Sequence, residues 1–189
     1  IQTIDIDELN KKLETTVTTD KYAIVEQAVK QYLKDTVDCS LELKDILESE
    51  KFQEIVTAQN YKNDGPEFTA SLQFINETRT KLQEADEFFK KALSEDGAMS
   101  YIEGKTDDKY YIDVYKEVAI GKEGEAAVIN DKETIENSIN TLINLLNTEE
   151  KILNMLKENS GRWEIQGEQI VFDSNELIDE YNSYVNELA

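Results

Sequence analysis

Residues Tyr22, Val25, Val29, Tyr32, Thr36, Cys39, Leu43 and Ile46 follow one another at alternating steps of three and four. That rhythm lays one mostly apolar seam along a helix of about seven turns. A strand cannot use this spacing, because its side chains alternate faces with period two. A helix this long, apolar on one side only, needs other helices to cover it, so the seam constrains everything else in the chain. Thr18, Thr19 and Asp20 precede it, where side-chain oxygens accept from the N–H groups that a helix start leaves unpaired; a start near Asp20 is expected. The pattern breaks at Ser49 to Lys51 and fits either an end there or a kink into Phe52 to Gln59.

Other segments carry the same rhythm. Ile4, Ile6, Leu9, Leu13 and Val17, with Asp5 or Asp7 as cap, predict a short helix within an N-terminal tether, residues 1–17. Phe52, Ile55, Val56 and Gln59 predict a second helix ended by the polar run Asn60 to Pro66, where Gly65 is expected to supply a positive φ. From Pro66 to Leu93 one face reads Phe68, Leu72, Ile75, Arg79, Leu82, Ala85, Phe89, Ala92, a stripe that only Arg79 interrupts. Asp96 and Gly97 are expected to end it, with one more turn over Ala98 to Glu103.

Residues 106–120 suit a helix or a strand; Thr106 and Asp107 as start signals favour helix, ending at Gly121 to Gly124. A helix from Asn130 or Asp131 to Asn159 reads Ile135, Ile139, Leu142, Leu146, Leu153, Leu156, with Glu149 in the one seam position between Leu146 and Leu153 and a candidate break at Asn147 and Thr148. Residues 162–173 change to period two around Gly167 and predict a small β-hairpin that must lean Trp163 and Phe172 on helices, since two strands alone are marginal. Asp173 or Ser174 then caps a helix with Leu177, Tyr181, Tyr184, Val185 and Leu188 inward. The expected fold is mainly α: a single-domain (1–189) helical bundle of four to six helices with a small C-terminal β-hairpin.

Charge and missing residue types exclude several functions. Asp and Glu number 41 against 20 Lys and Arg, a net charge of −21, and such a field repels nucleic-acid phosphates and anionic headgroups. No apolar run is long enough to span a bilayer. The chain contains no histidine, which removes Ser-His-Asp and Cys-His catalysis and the His-containing zinc and di-iron motifs. Gly121 and Gly124 lack the spacing of a phosphate loop, and no acidic run has the glycine of a helix-loop-helix calcium site. The single cysteine, Cys39, lies on the seam as a small apolar filler. Acidic pairs such as Glu133 and Glu136 arise by chance in so acidic a chain. No cofactor and no metal site is expected.

Two groups remain as candidate sites. Asp35, Asp38, Glu42 and Asp45 form an acidic ridge beside the seam, suited to a basic protein or to solvent. Tyr110, Tyr111 and Tyr115, with Trp163, offer amphipathic rings suited to a recognition surface or to packing. The leading expectation is a non-catalytic bacterial module that binds a protein or small ligand. A chain beginning at Ile1 suggests removal of an upstream signal or anchor, hence an extracytoplasmic, lipoprotein-like location, and the Lys-, Asn- and Ile-rich composition suggests a bacterial source. The alternative is a cytosolic acidic inhibitor or immunity-type protein whose ridge meets a basic partner. A carboxylate-based enzyme stands third.

Overall fold

In the computed structural model, residues 6–187 are described, with the backbone alone for 6–7 and 122–131. The chain is 75% helical. In order come α1 (Ile6–Glu14), α2 (Asp20–Glu48), α3 (Glu50–Glu54), α4 (Ala58–Asp64), α5 (Thr69–Ala92), α6 (Glu95–Met99), α7 (Lys109–Ala119), α8 (Lys122–Glu158), β1 (Trp163–Gln166), β2 (Gln169–Phe172) and α9 (Asn175–Glu187). Among the described residues this is a mainly α fold with a small C-terminal hairpin, as the periodicity requires. The candidate cap Asp5 and the inward positions Ile4 and Leu188 lie outside what is described, whereas Asp7 falls within α1 rather than ahead of it.

The residues pack as two compact units, 1–42 with 85–137 and 43–84 with 138–189; α2, α5 and α8 contribute to both. In the first unit Val25 and Ala28 of α2 bury against Ile102 and Tyr115, and Tyr32 against Ala92 and Ala98. The Tyr115 hydroxyl donates to the Ala98 carbonyl at 2.6 Å. In the second unit Ile55, Tyr61, Phe68, Ile75, Leu82, Leu146, Leu153 and Leu156 are buried. The hairpin leans as its size demands: Trp163 stacks on Phe68 with ring centroids 6.0 Å apart and donates to the Leu156 carbonyl at 2.7 Å, and Phe172 meets Tyr181 at 5.4 Å. Its two-residue turn begins with Gly167 at φ +67, the conformation such a turn asks of glycine.

Several boundaries depart from the pattern for identifiable reasons. Helix α2 ends at Glu48, and Ser49 caps the separate α3 by accepting from the Phe52 N–H; hydroxyl capping decides between an end and a kink. The polar run from Asn60 is not a terminator, because Thr57 caps α4 there and Tyr61 anchors it in the core at 2% exposure. Gly65 has φ −75, so it supplies no left-handed turn; an added Cβ would lie 2.5 Å from the Tyr61 carbonyl oxygen, so close approach is what requires glycine. Helix α5 stops at Ala92, and Ser94 caps α6, which takes in Asp96 and Gly97.

Residues 109–119 are helix, capped by Asp108 rather than Thr106 or Asp107. Helix α8 starts at Lys122, ahead of Asn130, and absorbs Gly124; a lone helical glycine costs only about 1 kcal/mol. It also runs unbroken through Asn147 and Thr148, where Leu146, Ile152 and Leu153 are all buried and packing outweighs local propensity. Val185 is 38% exposed and so stands at the margin of α9's inner face.

Candidate functional site

A concavity of the first unit lies where apolar side chains of α1, α2 and α7 meet. On α2, Val25 and Val29 of the seam and Leu33 beside it stand at steps of four; on α7, Val114 and Val118 do the same; Leu13 closes the row from α1. Together they line a groove of about 840 Å³. Several of its walls face solvent: Val17 is 77%, Val118 62%, Leu33 44% and Tyr22 44% exposed. Its rim carries both signs, with Lys12 paired to Glu8 at 2.6 Å and Lys30 to Glu26 at 2.6 Å.

Glu26 shapes one edge of this groove. Its carboxylate accepts from the Lys30 ammonium, from the Thr18 hydroxyl at 2.6 Å and N–H at 2.7 Å, and from the Val17 N–H at 3.0 Å. Lys30 also donates to the Thr15 carbonyl. Residues 15–18 are thereby strapped to α2, which sets where α1 lies. Lys30 first, then the Thr18 donors, pull the Glu26 pKa down to about 2, so the clamp is ionised at any ordinary pH.

Tyr22 ends the groove and ties it to the aromatic group. Its hydroxyl lies 2.9 Å from that of Tyr110, and its ring meets Tyr111 edge-on at 5.0 Å, while Tyr110 and Tyr111 meet at 5.1 Å. Lys21 lies over the Tyr111 ring and pairs with Asp108 at 2.9 Å. Tyr110 is 57% exposed. Tyr115, one turn after Tyr111 on α7, is fully buried and serves the core. Trp163 belongs to the second unit and to the Phe68 stack, so its role is anchoring the hairpin. The three-ring group is therefore Tyr22, Tyr110 and Tyr111.

The acidic ridge is partly committed to its own surroundings. Asp35 accepts from the Tyr101 hydroxyl at 2.9 Å and from Gln31 at 2.6 Å, and Asp38 pairs with Lys34 at 2.9 Å. Glu42 and Asp45 are exposed, Glu42 in the first unit and Asp45 in the second. Cys39 is half-buried, and burial first, then the Glu42 charge, pushes its thiol up to about 11; it stays protonated and unreactive. Among the described residues no cluster of acidic and cysteine side chains has the arrangement of a metal site, and no helix is long and apolar enough to cross a membrane.

The second unit holds one buried ionisable group that the pattern exposed only as an irregularity. Glu149 is 0% exposed; its Oε1 accepts from the Tyr61 hydroxyl at 2.8 Å, and its Oε2 has no hydrogen-bond partner. Burial pushes its pKa up to about 7, against the opposing Tyr61 hydrogen bond. Tyr181 feels the same carboxylate, and its phenol is raised by burial first and by Glu149 second. Next to it in sequence, Glu150 accepts from Arg79, the one interruption of the α5 stripe.

These features define an acidic, mainly α protein with an open apolar groove in one unit and a buried carboxyl in the other. Compared with protein families, curated proteins and solved structures, the chain matches none of them.

Proposed function

We propose that this protein is a non-catalytic binding module whose groove between α1, α2 and α7 accepts an amphipathic helix of a basic partner protein. The observation that carries this reading is the exposed apolar wall of the groove, Leu33, Val118 and Val17 with Tyr22 at its end. Monomeric proteins rarely leave a contiguous apolar trough open to water unless something covers it, and helix-in-groove docking uses apolar rows at helical spacing. Tyr22, Tyr110 and Tyr111 add rigid amphipathic rings at the margin, the residue type that most often anchors interfaces. The net charge of −21 selects the partner's sign, since it speeds association of a basic protein and repels an acidic one. A chain without histidine and with a protonated Cys39 thiol lacks the usual nucleophile and base, which favours binding over catalysis.

The bacterial part of the reading rests on the Lys-, Asn- and Ile-rich composition, and fractionation of cells making the native protein tests the extracytoplasmic part. The groove is tested with a Leu- and Lys-rich amphipathic helical peptide and a scrambled peptide of identical composition, by fluorescence anisotropy. The helical peptide should bind and the scrambled one should not, and Leu33→Asp with Val118→Asp should weaken binding by about tenfold or more, because a carboxylate then has to be desolvated at the contact. Equal binding of the two peptides, or unchanged binding by the variant, overturns the reading. If charge reversal of Asp35, Asp38, Glu42 and Asp45 abolishes binding while the groove variant does not, the acidic-inhibitor reading replaces it.

A further inference from the structure

A second concavity of the first unit has a different chemistry. The last turn of α5 supplies Phe88, Lys91 and Ala92, and α6 with the turns after it supplies Gly97, Ser100, Tyr101 and Lys105; they enclose about 360 Å³. That volume lies within the range of small-molecule sites. Gly97 makes the site possible: a Cβ there would fall 1.8 Å from the Lys91 carbonyl oxygen, so only glycine lets α6 fold back against the end of α5.

The cleft's cationic groups are its two lysines. In the same unit Lys12, Lys21, Lys30, Lys34, Lys90 and Lys116 each hold a carboxylate. Among the described residues the ammonium groups of Lys91 and Lys105 hold none, as is also the case for Lys11 and Lys109. The cleft's other donors are already used. The Ser100 hydroxyl donates to the Gly97 carbonyl at 2.6 Å, the Tyr101 hydroxyl to Asp35 at 2.9 Å, and the Gly97 N–H to Ser94 Oγ at 3.0 Å. What faces an entering molecule is therefore two cationic donors beside the Phe88 and Tyr101 rings and the Ala92 methyl. Of the acids near the cleft, Glu95 is held by Lys116, and Asp35 keeps its charge while accepting from Tyr101 and Gln31.

We propose that the cleft between Lys91 and Lys105 binds an aromatic carboxylate, its ring against Phe88 and Tyr101 and its carboxylate between the two ammonium groups. The acceptor-only character of a carboxylate matches the two ammonium groups, which can only donate, and charge-assisted hydrogen bonds supply the selectivity over a neutral analogue. The ring distinguishes this ligand from inorganic anions, which gain nothing from the apolar wall.

Amide NMR spectra of the full chain, titrated with benzoate, N-acetyl-phenylalanine, benzyl alcohol and inorganic phosphate, test the proposal. Benzoate or N-acetyl-phenylalanine should shift Gly97, Ser100 and Tyr101 saturably; which of the two binds tighter says whether a free acid or a peptide terminus is the natural source. Benzyl alcohol should bind about tenfold more weakly. Lys91→Gln or Lys105→Gln should weaken benzoate by about fivefold, and Lys91→Arg should restore most of it. Both lysines are exposed, so these variants keep the fold. Val118→Asp in the groove should leave benzoate binding unchanged, which separates this site from the proposed helix site. Benzoate and benzyl alcohol binding alike, phosphate binding as tightly as benzoate, shifts outside this cleft, or an unaltered Lys91→Gln, Lys105→Gln double variant would each overturn the assignment.

Discussion

Replacing Glu149 by Gln tests the electrostatics of the second unit most directly. The carboxyl is wholly buried on α8, accepts one hydrogen bond from Tyr61 and leaves Oε2 without a partner. Its pKa rises from an ordinary 4.5 to about 7 in the folded chain. A raised acid pKa means that the folded protein holds the proton more tightly than the unfolded chain does. The group's contribution is complete below the unfolded value near 4.5, is lost as pH rises towards 7, and stays lost above it. At 1.36 kcal/mol for each tenfold in the proton equilibrium, the ionised group costs about 3 kcal/mol at pH 8.

Glutamine keeps an oxygen for the Tyr61 hydroxyl and cannot ionise. Urea unfolding followed by circular dichroism at pH 5 and pH 8 should show the wild type losing about 2 kcal/mol more than Glu149→Gln across that interval. Every other titrating group is common to the two proteins and drops out of the difference. The variant should equal or exceed the wild type in stability at pH 8. Parallel pH profiles would refute the reasoning, because a carboxyl that ionises in place at no cost is not the desolvated group that its burial describes.

Four further outcomes follow from named contacts. Tyr61→Phe removes the Tyr61 hydrogen bond to Glu149, so the carboxyl's midpoint, read by carboxyl-carbon NMR, should move still higher, and stability should fall by about 1–3 kcal/mol. Leu82→Ala, at a wholly buried position of α5, should cost about 2–5 kcal/mol in the same urea assay. Gly97→Ala places a methyl against the Lys91 carbonyl and should destabilise by about 2 kcal/mol or more, with the Ser100 and Tyr101 amide signals displaced. Glu26→Gln loosens the strap at residues 15–18, so limited proteolysis there should accelerate; because the Glu26 pKa is lowered to about 2, acidification of the wild type should reproduce that loosening only as pH falls towards 2.

Much of the fold was legible because periodicity reports burial directly. The Phe68 to Ala92 stripe predicted α5, and Phe68, Ile75, Leu82, Ala85, Phe89 and Ala92 are indeed buried. The hairpin was legible from its change of period and its turn glycine. Boundaries were less so, since they depend on which hydroxyl captures a free N–H. Ser49, Thr57, Ser94 and Asp108 do so here, and Thr106 and Asp107 stood within two residues of Asp108. Gly65 and Gly97 carried no local signal of their purpose, because the carbonyl each one must approach is placed by the fold.

The site was less legible for a related reason. A groove forms where apolar side chains of three helices meet, and a row reads alike whether it meets a neighbour or water. Val25 and Val29 belong to the seam of α2 and Leu33 stands beside it, but nothing in their spacing distinguishes a wall from a core. Tyr110, Tyr111 and Tyr115 show the converse: one helical segment sends two rings to the surface cluster and the third, four residues after Tyr111, into the core beside Ala98. Single interruptions of a stripe were the more informative signal. Arg79 and Glu149 each broke one, and each proved to be a charge that the core accommodates by a different means. Arg79 reaches Glu150 as an ion pair, whereas Glu149 has only a phenol and holds its proton close to neutrality. The fold therefore depends on pH through Glu149 in a direction opposite to that of an ordinary paired carboxylate such as Glu26, and the two can be separated by titration alone.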